Sequence, residues 1–127
     1  MKASDLNLLL HDLSTTDTFK QLIQEEVSSY SKLLEKKGSN IPLIFDEDEE
    51  IILDCFAIRK LLVKTSIGKL TNVDLAYICD CLTLSEKVDF KDEKTRNIVF
   101  GIADPEINGG YKSNIELRRL IEICDGD

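Results

Sequence analysis

The sequence has little of what catalytic sites are usually built from. Among its 127 residues there is one histidine, His11, and no tryptophan. A histidine that acts as a general base needs a nucleophile or an oriented carboxylate close to it. Asp12 is adjacent, but neighbouring residues of a helix point in different directions. We therefore expect His11 to be an ordinary surface residue and the protein not to be an enzyme.

Short motifs of nucleotide-binding and hydrolytic sites are also missing. The sequence has no glycine-rich phosphate loop, no Gly-x-Ser-x-Gly and no His-Glu-x-x-His. Its only aromatic residues are five phenylalanines and three tyrosines, which is little for stacking on RNA bases. We expect no cofactor and no direct binding of nucleic acid.

Long apolar runs are absent too. The run Leu8-Leu9-Leu10 ends at His11, whereas a secretory signal needs a longer run and a membrane span needs about twenty apolar residues. We expect a cytoplasmic protein that does not bind membranes.

The four cysteines do not have the spacing of a metal site. Structural zinc is usually held by two closely spaced ligand pairs, but only Cys79 and Cys81 are close in sequence, and Cys55 and Cys124 are isolated. Residues two apart on a helix face nearly opposite sides, so these two thiols cannot bind one ion. We expect reduced cysteines and no bound metal, with Cys79 in the core and Cys81 at its edge.

What the chain does have is apolar content and acidic charge. Hydrophobic residues make up 43%, enough for one core, so residues 1–127 are expected to form a single domain. The net charge is −8, from 24 acidic and 16 basic residues. Such a chain repels nucleic-acid backbones and anionic membranes and favours a protein partner with a basic surface.

The spacing of apolar residues predicts an all-α domain of five or six helices. The clearest stripe runs from Phe19 to Leu34 at three- and four-residue intervals, with Gly38 as a stop. A shorter helix is predicted over residues 4–13 and a loop over 38–45. Residues 84–92 are predicted to be a loop whose VDF sequence either forms a short extended piece or plugs the core.

Several helix starts have capping sequences. Thr71 with Asp74, and Ser113 with Glu116, have the spacing of a capping box. Asp92 is expected to cap a fifth helix that runs to Ala103 and ends before the following proline.

An acidic run stands out from the rest of the sequence. Its six carboxylates have no basic residue among them: Asp46, Glu47, Asp48, Glu49, Glu50 and Asp54. Because Asp46 and Glu49 have capping-box spacing, the third helix is predicted to begin at Asp46 and to end at Gly68. Its body, residues 51–63, is apolar on most sides, which predicts that it is the central helix.

Two interpretations of this acidic run remain open. Carboxylates at a helix N-terminus are stabilised by the helix dipole, which accounts for two or three acids. Five in succession repel one another and exceed what a cap needs. The other interpretation is a docking surface for a cationic partner, which gains association rate and specificity from complementary charge.

A second candidate binding segment lies before the last helix. Residues 104–110 (DPEINGG) carry Asp104 and Glu106 and are followed by Tyr111, which looks exposed. Tyrosine is a frequent interface anchor. The alternative is a turn between helices, since proline, asparagine and glycine all have turn roles.

The sequences LAYICDCL at 75–82, VDF at 88–90 and DPEING at 104–109 resemble those of small helical immunity proteins of bacterial contact-dependent growth inhibition and related toxin systems. The resemblance covers residues 71–110. It implies a small cytosolic protein without catalytic activity that binds one toxin domain and masks its active site or substrate surface. Many such toxins are nucleases with basic clefts, which the acidic run would complement.

The main functional hypothesis is therefore an immunity protein that neutralises a toxin, expected to be a nuclease. A non-catalytic helical scaffold is the alternative. In that case residues 51–63 would be partly exposed and would form the seam of a homodimer.

Overall fold

The computed structural model describes residues 1–34, 43–105 and 107–126. Within them the chain forms six helices and two short strands, with one hydrophobic core. The helices are α1 (Ala3–Leu10), α2 (Thr16–Leu34), α3 (Cys55–Ser66), α4 (Asn72–Leu84), α5 (Glu93–Ile102) and α6 (Asn114–Asp125); the strands are β1 (Ile51–Leu53) and β2 (Val88–Phe90). The all-α prediction is thus correct in its coarse form, a mostly helical domain.

The caps read from local sequence are confirmed. In α4 the Asp74 N–H donates to the Thr71 hydroxyl at 3.0 Å, and the Thr71 N–H donates to the Asp74 carboxylate at 2.9 Å. Ser113 and Glu116 form the same capping box at α6. Asp92 caps α5 by accepting from the Thr95 N–H at 2.7 Å.

The predicted start of the third helix is wrong. No helix begins at Asp46; α3 begins at Cys55, and Asp54 is its N-cap, accepting from the Ala57 N–H at 2.8 Å. The three residues before that cap form β1, which pairs in parallel with β2 so that Ile51 lies opposite Val88. The prediction that the VDF sequence at residues 88–90 forms a short extended piece is therefore confirmed.

Burial explains why residues 51–53 are extended. Ile51 and Leu53 are buried at 1% and 0% exposure, while Ile52 between them is 60% exposed. An extended chain sends alternate side chains to opposite faces, so it places two of the three in the core and frees the third. Three consecutive aliphatic residues give no alternation in the sequence, and the pattern could not indicate a strand.

Helix α3 contacts α1, α4, α5, α6 and β1, so the prediction that the third helix is central is confirmed; α4 is the more completely buried of the two helices. Every residue from Asp74 to Leu82 is buried except Asp80, because α2, α3 and α5 all pack around this helix. The expectation that Cys81 lies at the core edge is wrong, since both Cys79 and Cys81 are fully buried.

Two further predictions concern the loop after α2 and the absence of a membrane span. The predicted stop at Gly38 lies outside the described residues, and of the predicted 38–45 loop only Leu43–Phe45 is described, without helix or strand. Among the helices described, none combines the length and the apolar character that a bilayer crossing requires.

Candidate functional site

The acidic segment, residues 46–50, lies between α1 and the turn that precedes β2. Its backbone is tied to the first residues of the chain, since the Asp46 N–H donates to the Met1 carbonyl and the Ala3 N–H donates to the Asp46 carbonyl, both at 2.9 Å. Asn7 of α1 donates to the Glu50 carbonyl at 2.9 Å. These contacts hold the segment in place on the surface.

Asp48 acts as a cap for α1 from a distant part of the chain. Its carboxylate accepts from the Ser4 N–H at 2.8 Å and from the Ser4 hydroxyl at 2.6 Å. The hydroxyl and the N–H of Ser4 hold the pKa of Asp48 below its ordinary value. The helix-dipole interpretation therefore holds for this carboxylate, but at another helix than the one predicted.

Glu47 and Asp54 also have structural partners. The Glu47 carboxylate accepts from the Ser85 hydroxyl, the principal reason that its pKa is lowered, and its carbonyl accepts from the Lys87 ammonium at 2.9 Å. Asp54 caps α3. Three of the six predicted carboxylates thus stabilise the fold and offer less to a partner than the sequence suggests.

The other three carboxylates have no such role. Asp46, Glu49 and Glu50 are exposed, and their side chains have no hydrogen bond or ion pair with any described residue. Mutually repelling carboxylates that no cation of the described residues neutralises cost stability and are available to an external cation.

Exposed apolar side chains lie in and beside the same segment. Ile44 is 63% exposed, Ile52 60% and Phe56 71%. Their exposure is not predicted from the sequence, because an aliphatic or aromatic residue next to a helix is normally assigned to the core. We call Ile44, Asp46, Glu49, Glu50, Ile52 and Phe56 together the acidic–apolar surface.

One part of this surface is concave. A cavity of about 320 Å³ lies between α1, β1 and the first turn of α3. We call it the α1–β1 cleft; its lining includes Leu10, His11, Glu50, Ile52, Asp54 and Phe56. Lys60 also lines the cleft, and its ammonium lies 4.8 Å from the centre of the Phe56 ring, so one face of this ring already contacts a cation of the chain itself.

The second predicted segment has mainly a structural role. The Asp104 N–H donates to the Asp80 carboxylate at 2.6 Å, and the Asn108 side chain donates to the Phe100 carbonyl at 3.0 Å, which satisfies the end of α5. Tyr111 is partly buried against the core, so the expectation that it is exposed is wrong. Asp104 is exposed, and Glu106 lies outside the described residues.

The two predicted segments are not joined in the part of the chain that the structure describes. No hydrogen bond or ion pair there links residues 46–54 to residues 104–105 or 107–110. Asp104 instead belongs to a cluster with Tyr30 and the half-buried Asp80.

The two cysteines that are close in sequence are buried in α4, whereas the histidine lies at the surface. Burial raises the pKa of Cys79 and that of Cys81, the latter to about 12, so both remain unreactive thiols. Within the described ranges, no three histidine, cysteine, aspartate or glutamate side chains are grouped so that they could hold a metal ion. His11 is exposed at the rim of the α1–β1 cleft.

Comparison of the chain with known protein families, curated proteins and solved structures finds no match.

Proposed function

We propose that this protein is an immunity protein that binds a cognate toxin domain through the acidic–apolar surface and masks a basic surface of that domain. The observation that carries the proposal is the combination of unpaired carboxylates with exposed apolar side chains. The side chains of Asp46, Glu49 and Glu50 have no hydrogen bond or ion pair among the described residues, and Ile52 and Phe56 are exposed beside them.

Each component of the surface would contribute in a different way. Unpaired carboxylates attract a cationic partner over a distance and raise the association rate. Exposed aromatic and aliphatic side chains lose contact with water on binding and slow dissociation, as interface anchors do. A surface with both fits a partner whose cations surround apolar groups, such as the substrate cleft of a nuclease.

The choice of a toxin as the partner is supported by the resemblance of residues 71–110 to immunity proteins. The small size and net charge of −8 agree with it. In the proposed mechanism the immunity protein needs no reactive group, because it inhibits by covering the cationic surface that the toxin's substrate would contact.

Association kinetics with the product of the adjacent upstream gene, which the proposal expects to be the toxin, test the proposal. Glu49→Lys combined with Glu50→Lys should slow association by about tenfold at low salt and flatten the dependence of the rate on ionic strength. Glu25→Lys with Glu122→Lys is the matched control, since it changes the net charge equally at exposed positions on α2 and α6.

The control variant should lose much less of the association rate. Absence of a complex, or equal slowing by both double variants, would overturn the proposal. Asp48 is unsuitable for this test because its replacement removes the cap of α1.

A further inference from the structure

The outer edge of β1 carries backbone groups without a hydrogen-bond partner. In a parallel pair only alternate residues of a strand bond to the neighbouring strand. Ile51 and Leu53 do so here: the Ile51 N–H donates to the Lys87 carbonyl at 3.1 Å, and the Lys91 N–H donates to the Leu53 carbonyl at 2.9 Å. The N–H and C=O of Ile52 therefore point away from β2, and neither has a partner in the described ranges.

Helix α1 covers part of this edge and leaves the rest open. The Asn7 side chain donates a hydrogen bond to the Glu50 carbonyl. Glu50 lies two residues before Ile52, so the carbonyl groups of both residues point to the same edge of the strand. Beyond this contact the helix and the strand are separated by the α1–β1 cleft, lined by Leu10 and His11 from α1 and by Ile52 from β1. A segment lying in the cleft would be within reach of the Ile52 backbone.

We propose that the partner adds an extended segment to this edge as a third strand, lying in the α1–β1 cleft. This proposal rests on the proposed function and names the chemistry by which the same surface holds its partner. An extended segment fits best because its own N–H and C=O groups are free at alternate residues, whereas those of a helix are already bonded internally.

The side chains of β1 specify the sequence of that segment. Glu50 and Asp54 flank β1 and, with Ile52 between them, are exposed at alternate positions, so the three lie on one face of the extended chain. Among the described residues, the cap of α3 uses only Oδ1 of Asp54, so the charge and the Oδ2 of this carboxylate are still open to a cation. Residues opposite them in an added strand would be favoured if they were basic, apolar and basic. The predicted recognition sequence is thus basic-x-apolar-x-basic.

The outer edge of β2 does not have the acidic and apolar side-chain pattern found along β1. Its exposed positions are Lys87, Asp89 and Lys91, and the Lys91 ammonium is paired with the Asp89 carboxylate at 2.8 Å. That edge combines charges of both signs, and the pair occupies its only carboxylate. Charge complementarity therefore selects β1 as the edge for a basic segment.

Amide hydrogen exchange tests the proposal on the unmodified protein. The probe is the seven-residue peptide Thr-Lys-Thr-Val-Thr-Lys-Thr with both of its ends blocked. Saturating peptide should slow exchange of the Ile52 amide by about tenfold or more, since that N–H would gain an acceptor. A peptide with glutamate in place of both lysines should not slow it.

A pair of substitutions tests the backbone contact directly. Ile52→Pro removes the outward N–H but none of the bonds between β1 and β2, which use Ile51 and Leu53. It should weaken binding of the lysine peptide by about tenfold through the lost hydrogen bond and the blocked edge. Ile52→Thr keeps the N–H and should change the affinity by about twofold or less.

The outcomes separate this inference from the proposed function. Unchanged Ile52 exchange with bound peptide, or equal binding by Ile52→Pro and Ile52→Thr, overturns strand addition while leaving an acidic docking surface intact. No binding of the lysine peptide at millimolar concentration also overturns it. Failure to form a complex with the toxin domain itself overturns the proposed function instead.

Discussion

Asp48 fixes the first turn of α1 by accepting two hydrogen bonds from Ser4, which lies 44 positions earlier in the chain. Lys2, at the N-cap position of that helix, makes no side-chain cap of its own. A carboxylate from the acidic segment therefore completes a helix that is distant in sequence. The neighbouring Glu49 and Glu50 side chains, by contrast, have no hydrogen bond or ion pair among the described residues.

Replacing Asp48 by alanine should lower the thermal unfolding midpoint, because two N-terminal groups of α1 lose their acceptor. Glu49→Ala is the matched control and should change it little. The pKa of Asp48 is depressed below 3.8 by Ser4, so its stabilisation is present above that value and is lost as the pH falls through the folded-state pKa. Thermal melts at neutral and acidic pH measure both effects; equal midpoints for the two variants at neutral pH would contradict this role.

Asp80→Asn should stabilise the protein at neutral pH. Burial raises the pKa of Asp80 despite hydrogen bonds from the Tyr30 hydroxyl and the Asp104 N–H. A raised carboxyl pKa means that the folded state holds the proton more tightly than the unfolded state, so stability falls as the pH rises through this range. The gain from asparagine should disappear below the ordinary aspartate pKa of 3.8. A lower melting midpoint for Asp80→Asn at neutral pH would contradict the prediction.

Tyr30→Phe should destabilise the protein at neutral pH. Tyr30 is 1% exposed, and removing its hydroxyl takes a donor away from the half-buried Asp80 carboxylate. The expected loss is about 1–3 kcal/mol of unfolding free energy, typical of a hydrogen bond to a charged group. Urea denaturation at neutral pH measures it. An unchanged free energy of unfolding would show that this hydrogen bond contributes nothing to stability.

The four thiols should fall into two classes toward a thiol-modifying reagent. Cys55 and Cys124 are partly exposed and should react in the native protein, whereas Cys79 and Cys81 are buried and should react only on unfolding. Burial raises the pKa of Cys124 to about 11, so its reaction should accelerate as the pH rises toward that value. Labelling followed by peptide mass analysis measures each site; rapid native labelling of Cys79 would contradict the observed packing of α4.

Phe56→Ala should weaken partner binding with little cost to folding. The side chain is 71% exposed, so its removal should change the unfolding free energy by about 0.5 kcal/mol or less. Binding to the toxin domain should fall by about tenfold or more if Phe56 is an interface anchor. Ile115→Ala on α6, at 65% exposure, is the control for an exposed apolar residue elsewhere. Equal affinities of the two variants would exclude Phe56 as an anchor.

Sedimentation at micromolar concentration separates the immunity hypothesis from the scaffold alternative. The predicted dimer seam, residues 51–63, mostly faces the core, since Ile51, Leu53, Ile58 and Leu62 are 1% exposed or less. We therefore expect a monomer. A tight homodimer would favour the scaffold alternative.

Local sequence was sufficient for most helix positions. The capping boxes at Thr71 and Ser113, and the cap at Asp92, involve groups three residues apart, so the chain determines them without distant partners. The apolar stripe of α2 likewise repeats within one helix and gives most of its buried residues, although Leu22 of the same stripe is 58% exposed.

Tertiary structure alone decided what the acidic run does. Ile51 to Leu53 becomes a strand because β2, far along the chain, supplies its hydrogen bonds, and no local period could reveal that pairing. Asp48 finds Ser4 and Glu47 finds Ser85 only after the chain has folded, which leaves Asp46, Glu49 and Glu50 unpaired among the described residues. The sequence by itself determined the helices and the excess of carboxylates, since both depend on composition and short-range spacing; which carboxylates stabilise the fold and which remain available to a partner depends on contacts between distant residues.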